Sequence, residues 1–275
     1  DLVRSRGLGD VYKRQDYMKI KKIFVVGDKF SEFTNGKNVL TISQLELLTQ
    51  IPAKIIDTEH EIIVGQGVRD DFARKVIKNQ KRNEIHDNKL NIISLEKLAE
   101  AKKNCYAHKK IKHNVLIGAA EKVEHNDKLY ALPLLIDERC ELMADHQTGQ
   151  HIQGMLLVEA CRQTFIAVTE EFFFSGNKNR YYVINGMAIN FSNFLFPLPA
   201  VMHYEILDQD INDRRARFKA QIRVTQHETP CATMDVSFTV YPSEVISSKE
   251  SELAMTATQN AFIAAQQTPV EAIHA

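Results

Sequence analysis

The sequence predicts an α+β fold: a long antiparallel sheet wrapped around a long central helix, with a small N-terminal α/β domain. Three observations predict it. Met155–Val168 is apolar almost all the way round, the mark of a buried helix. After it come strand-like segments separated by short turns, with no room for helical crossovers, so the strands must pair antiparallel. Ahead of it, residues 18–100 alternate short apolar runs with helical ones, the order of an α/β unit.

The elements follow in chain order. Lys22–Asp28 is a buried-strand pattern ended by a turn, and Thr41–Gln50 carries Ile42, Leu45 and Leu48 at helical spacing behind Thr41 or Ser43 as cap. Lys54–Ile56 and Glu61–Val64 read as strands. Asp70-Asp71 open a basic helix through Arg82, Asn91–Ile93 reads as a further strand, and Leu95–Lys103 as a polar connecting helix. Gly65-Gln66-Gly67 lies between strand and helix, as either a nucleotide cradle or a plain turn; it lacks the third glycine of a dinucleotide fingerprint.

From Cys105 the character changes. Val115–Ile117 and Leu129–Ile136 predict a strand pair around His125-Asn126-Asp127. Tyr181–Phe196 alternates, placing Tyr181, Val183, Met187, Ile189 and Phe191 on one face. Val201–Leu207, Ala216–Val224 and Thr233–Tyr241 are three more strands. Two strands, a long buried helix, then four strands is a hot-dog architecture, expected over 105–245. Residues 246–275, poor in bulky apolar side chains, are expected to be mostly disordered. Residues 1–17 read as a non-native or disordered leader, because Asp1–Gln15 resembles translated sequencing-adapter read-through.

Composition narrows the function. Net charge is zero, which gives no electrostatic case for nucleic acid or a membrane surface. The longest apolar run is interrupted by Glu159, Arg162 and Gln163 and falls short of a membrane span. The four cysteines are scattered without CxxC pairing, which points to reduced thiols in the cytoplasm rather than a disulfide framework or zinc site. No metal or cofactor is called for.

The interruption is itself the main signal. Glu159, Arg162 and Gln163 fall on one face of the buried helix, and burying a carboxylate and a guanidinium is costly unless they are paired or functional. Burial should raise the pKa of Glu159, countered by Arg162 where the two pair, leaving a carboxyl that exchanges a proton beside a substrate. Arg162 and Gln163 suit an anion or carbonyl. Gly154 opens the helix, where unpaired N–H groups can polarise a carbonyl. In the loop before it, His146 and His151 are candidates for a general base or its orienter, with Asp145 beside His146. A structural ion pair and solvated loop histidines are the competing readings. His108-Lys109-Lys110 with Lys112 and His113 forms a basic cluster that suits an acidic partner.

His151, Gly154-Met155-Leu156-Leu157, Glu159-Ala160 and Arg162-Gln163 resemble the A-factor biosynthesis hot-dog family, which includes enzymes of γ-butyrolactone autoinducer synthesis. His108-Lys109 ahead of Val115 and Ile189–Phe194 after the helix match it too, so the resemblance spans about 105–242. The chain departs from the family pattern at Gln150, where Asp is usual, at Gln153, where Pro is usual, and in having one hot-dog unit rather than two.

The resemblance implies an acyltransferase acting on a β-ketoacyl thioester of acyl carrier protein or coenzyme A, with dihydroxyacetone phosphate as a phosphorylated co-substrate. Glu159, Arg162, His151 and His146 would be catalytic; Gly154, Met155, Gln163, Asp145, His108 and Lys109 would bind substrate. A thioester dehydratase or thioesterase using Glu159 with His146, and a non-catalytic acyl-binding regulatory module, are the alternatives. A single hot-dog unit leaves a sheet edge open, so a homodimer is expected.

Overall fold

A computed structural model of the chain describes residues 20–51, 56, 58–83, 89–101, 107–144, 149–174 and 179–267. The expected leader, the strand at Lys54-Ile55, and the loop residues Asp145 and His146 lie outside the described residues.

The N-terminal unit is a parallel four-stranded sheet. Its strands are β1 (Lys21–Val26), β2 (Val39–Thr41), β3 (His60–Val64) and β4 (Leu90–Asn91), in the order β2-β1-β3-β4. The connecting helices are α1 (Ser31–Thr34), α2 (Ile42–Leu48), α3 (Asp70–Asn83) and α4 (Ile93–Ala101). Thr41 caps α2 in a reciprocal box with Gln44, which satisfies two end groups at once. Val25, Ile42, Leu45, Ile62, Val76 and Leu95 form this unit's own core.

The larger unit is a hot dog. Six antiparallel strands run in the order β5-β6-β8-β9-β10-β7. They are β5 (Glu121–Lys122), β6 (Leu129–Pro133), β7 (Arg180–Phe191), β8 (Val201–Asn212), β9 (Arg215–Gln226) and β10 (Thr229–Pro242). They wrap α5 (Gly154–Phe172), whose Leu156, Leu157, Ala160, Phe165 and Val168 are all buried. Alternation in β9 sends Ala216, Phe218, Ala220, Ile222 and Val224 inward. Phe165 stacks on Phe238 at 4.5 Å and Phe238 on Phe218 at 5.2 Å, which seats the helix on the sheet. At the C-terminal end of α5, Phe173 meets Phe218 edge-on.

Three expectations are corrected. Val115–Ile117 forms no strand of its own; Ile117 makes a single bridge to Leu134, and the short β5 pairs with β6 instead. The face expected for Tyr181–Phe191 is broken by a bulge. Ile184 pairs with Phe238 and Gly186 with Ser237, so Asn185 is the extra residue. Tyr182 therefore packs inward before the bulge and Ile189 after it. Residues 246–267 are not disordered: α6 (Ser243–Gln267) is a 25-residue helix, exposed over residues 247–265. Ala, Glu, Gln, Leu, Met and Lys are strong helix formers, so lack of a burial face did not prevent a helix. Tyr181 bonds Glu250 near its start.

The two units are fastened through Gly65-Gln66-Gly67. Gln66 N–H donates to the Pro197 carbonyl (2.9 Å) and Gly67 N–H to the Ile136 carbonyl (2.8 Å). The buried Gln66 side chain donates to the Leu134 and Leu198 carbonyls and accepts from Ile136 N–H. Glu138, in the hot-dog unit, accepts from Lys29 N–H, and Phe33 stacks on Phe196 at 5.6 Å. The crevice beyond the carboxyl ends of β1 and β3 is where an open parallel sheet usually binds ligands. Here the hot-dog unit fills it, so the glycines serve docking and the nucleotide reading is withdrawn.

Candidate active site

The polar stripe of α5 faces a cleft of about 230 Å³. Glu159, Arg162, Lys109, Asn114 and Glu141 give it polar walls, and Met155, Val158, Leu142 and Met187 apolar ones. The rim at Cys140–Leu142 is tied down twice. Asn114 Oδ1 accepts from Glu141 N–H (3.0 Å), and Gln153, where the family usually has Pro, donates to the Leu142 carbonyl.

Glu159 is the hub. Arg162 grips it with two bonds, Nε to Oε2 at 2.7 Å and a terminal nitrogen to Oε1 at 2.9 Å. Lys109 Nζ lies 2.8 Å from Oε1, and Gln163 donates to the same oxygen at 3.0 Å. Burial pushes the carboxyl up, as expected from its place in the helix. Hydrogen bonds from Arg162, Lys109 and Gln163 outweigh that, and the pKa falls from 4.5 to about 2. The expected proton-exchanging acid is thus corrected: at neutral pH Glu159 is a fixed carboxylate that aims two cations into the cleft.

A depressed folded-state pKa contributes stability that is complete above the unfolded value and lost as pH falls. For Glu159 the loss runs from about pH 4.5 down to about pH 2. Thermal melts of wild type and Glu159→Gln should therefore converge across that window. A gap that stays constant with pH would contradict the assignment.

Gln163, expected to touch substrate, has its amide taken up by partners within the protein. It is fully buried, its Oε1 accepts from Leu116 N–H (2.8 Å), and its Nε2 donates to the Asn114 carbonyl (2.8 Å) as well as to Glu159. It is a strap that carries 114–116 along the helix and orients Glu159.

The remaining candidates scatter. Met155 is 63% exposed and lines the cleft. Gly154 opens α5, and a Cβ there would lie 2.9 Å from the tip of the Phe191 ring, a half-exposed side chain that can swing aside. His151 is not among the cleft residues; its ring lies 4.8 Å from that of Phe194. Asp145 and His146 lie outside the described residues. Lys109 belongs to the site, whereas its neighbour His108 reaches the other end of the stripe, where Nε2 lies 3.1 Å from Glu170 Oε1. Sequence reading passed over Glu170, though it stands eleven residues from Glu159 and thus three helical turns along the same face. It also passed over the rim at Cys140–Leu142, which no helical or strand period announces.

The long antiparallel sheet closed around α5 defines a hot-dog protein with a cation-lined cleft at the start of the central helix. The profile of the A-factor biosynthesis hotdog domain matches residues 94–242, and the chain belongs to that family. No curated protein matches the chain.

Among solved structures, it is similar to a thioesterase from Haemophilus influenzae, with 12% identity over 50% of this chain and 85% of that one, and a TM-score of 0.35. A point variant of a thioesterase from Pseudomonas aeruginosa gives 17% identity, 54% and 93% coverage, and a TM-score of 0.35. A hypothetical thioesterase from Streptococcus pneumoniae, solved with coenzyme A, gives 12%, 45% and 84%, and 0.31.

Proposed function

We propose that the cleft is the site of an acyltransferase that takes a β-ketoacyl chain from a carrier-protein or coenzyme A thioester to a hydroxyl of a phosphorylated acceptor, dihydroxyacetone phosphate. The observation that carries this reading is the arrangement of Arg162 and Lys109 on one carboxylate at the wall of a half-apolar cleft. Cations held by a carboxylate are pre-aimed, so an arriving phosphate meets them without further ordering. The apolar wall of Met155, Val158 and Met187 suits an acyl chain. Family membership supports the substrate class. A dehydratase or thioesterase that uses Glu159 as an acid fits less well, because Glu159 is held as a carboxylate.

Arg162→Ala tests the reading. Dihydroxyacetone phosphate should bind about 10- to 100-fold more weakly in calorimetry, the worth of one lost charged hydrogen-bonding group, while thioester hydrolysis in its absence changes little. Equal binding by wild type and variant would contradict it.

The reading includes a homodimer. β7 is an edge strand, with a neighbour on one side only among the described residues, and Ile184, Met187 and Phe191 on its inward face are 41%, 42% and 53% exposed, more apolar surface than an edge normally leaves open. A second copy against β7 would cover it and close the cleft at Met187. Light scattering should give twice the chain mass, and Met187→Lys should shift it toward the monomer. The reading also includes a cytoplasmic setting, supported by the free thiols of Cys161 and Cys231. Among the described residues no helix is long and apolar enough to cross a membrane.

A further inference from the structure

The far end of the α5 stripe holds a second polar cluster that the cleft does not use. Glu170 is 1% exposed. Its Oε1 meets His108 Nε2 at 3.1 Å, and its Oε2 has no hydrogen-bond partner among the described residues. A carboxylate buried with one oxygen unused is costly to the fold and calls for a reason.

His108 is held from three directions. Glu170 bonds its ring from α5, Tyr182 of β7 meets the ring edge-on at 5.5 Å, and its own backbone sits at φ 51°. A non-glycine residue in that left-handed region is strained. The strain has a visible result: consecutive side chains of an extended chain point to opposite sides, yet His108 and Lys109 both reach carboxylates on one stripe of α5, Glu170 and Glu159. Tyr182 is fixed in turn, its hydroxyl 2.9 Å from that of Thr169. The His108 side chain nevertheless remains 35% exposed, and Nδ1 has no protein partner among the described residues.

A histidine oriented by a buried carboxylate, with its other nitrogen left open, is the arrangement of a general base. Glu159 cannot fill that role, because three donors hold it as a carboxylate. We propose that His108, positioned by Glu170, is the proton-transferring residue of the acyl transfer, and that Glu159 serves only to aim Arg162 and Lys109. The assignment rests on the thioester reading above.

A ligand with its anionic end at Lys109 and Arg162 must extend beyond the cleft, along α5 from Glu159 toward Glu170, to bring its reacting end to His108. The acceptor hydroxyl gives its proton to Nδ1 as its oxygen bonds the thioester carbon. The carbon–sulfur bond then breaks, and the imidazolium returns the proton to the departing thiolate. No oxidant or reductant enters.

The test follows free thiol released from a medium-chain β-ketoacyl-coenzyme A in the presence of dihydroxyacetone phosphate, with binding of the same thioester read by calorimetry. His108→Asn, which tolerates the left-handed backbone, should lose about 100-fold in kcat with unchanged thioester affinity. Glu170→Gln should lose at least about tenfold in kcat with KM unchanged. His108→Gly should recover part of the rate when imidazole is added, a response that a merely structural pair would not show. Circular dichroism checks that each variant is folded, and the glycine variant carries the test should the asparagine one unfold. If wild type turns over and His108→Asn stays within about threefold of it, or if imidazole restores nothing to folded His108→Gly, the assignment is overturned and the thioester reading stands. If wild type neither binds nor cleaves the thioester, that reading falls and takes the assignment with it.

Discussion

Replacing Gln163 with Leu should destabilise the protein by about 4 kcal/mol, read as a fall in the denaturant midpoint at unchanged slope. Leucine keeps the volume but removes both the acceptor for Leu116 N–H and the donor for the Asn114 carbonyl. Each backbone group would then be left buried without a partner, at roughly 1 to 3 kcal/mol apiece. The variant should also loosen the cleft, since Glu159 loses a donor and Asn114, which holds the Cys140–Leu142 rim through Glu141 N–H, loses its anchor. A loss under about 1 kcal/mol would show that 114–116 is held by packing alone.

Gly65→Ala should have the other large effect. A Cβ at Gly65 would lie 2.2 Å from the Pro197 carbonyl oxygen. The obstacle is backbone of the other unit, so it cannot swing aside as a side chain would. The two units must move apart, stretching the Gln66 bonds to Pro197, Leu134 and Ile136. Overpacking of this kind costs about 3 kcal/mol, and calorimetry should resolve two transitions where the wild type shows one. A wild-type melt for Gly65→Ala would mean that the docking is looser than the contacts describe.

Much of the fold was legible because period and burial coincide. The alternation of Ala216–Val224 and the all-round apolarity of Met155–Val168 follow directly from one sheet wrapped on one helix. The stripe at Glu159, Arg162 and Gln163 was legible for the same reason, since three polar residues in a buried helix stand out.

What those side chains do was less legible. Local spacing pairs Glu159 with Arg162, but Lys109 arrives from fifty residues away and tips the balance toward a fixed carboxylate. Gln163 looked like a ligand contact, because nothing in the sequence says that Asn114 and Leu116 need its amide. The bulge at Asn185 reverses the facing of half a strand, and Gly186 beside it, an isolated glycine in a strand pattern, is the signal that announces it. The docking role of Gly65-Gln66-Gly67 depends on Pro197 and Ile136, both far away in sequence. The helix of α6 is not legible in the apolar pattern, because intrinsic helix propensity rather than a buried face sets it.

The central claim is that the cations held on Glu159 receive a phosphorylated acceptor beside an acyl thioester. Mass spectrometry of the products formed from β-ketoacyl carrier protein, with and without dihydroxyacetone phosphate, tests it most directly. The account predicts a new ester carrying both the acyl chain and the phosphate, formed only when both substrates are present and lost in Arg162→Ala. Release of the free acid at the same rate with and without dihydroxyacetone phosphate, or no change in either mixture, would contradict it.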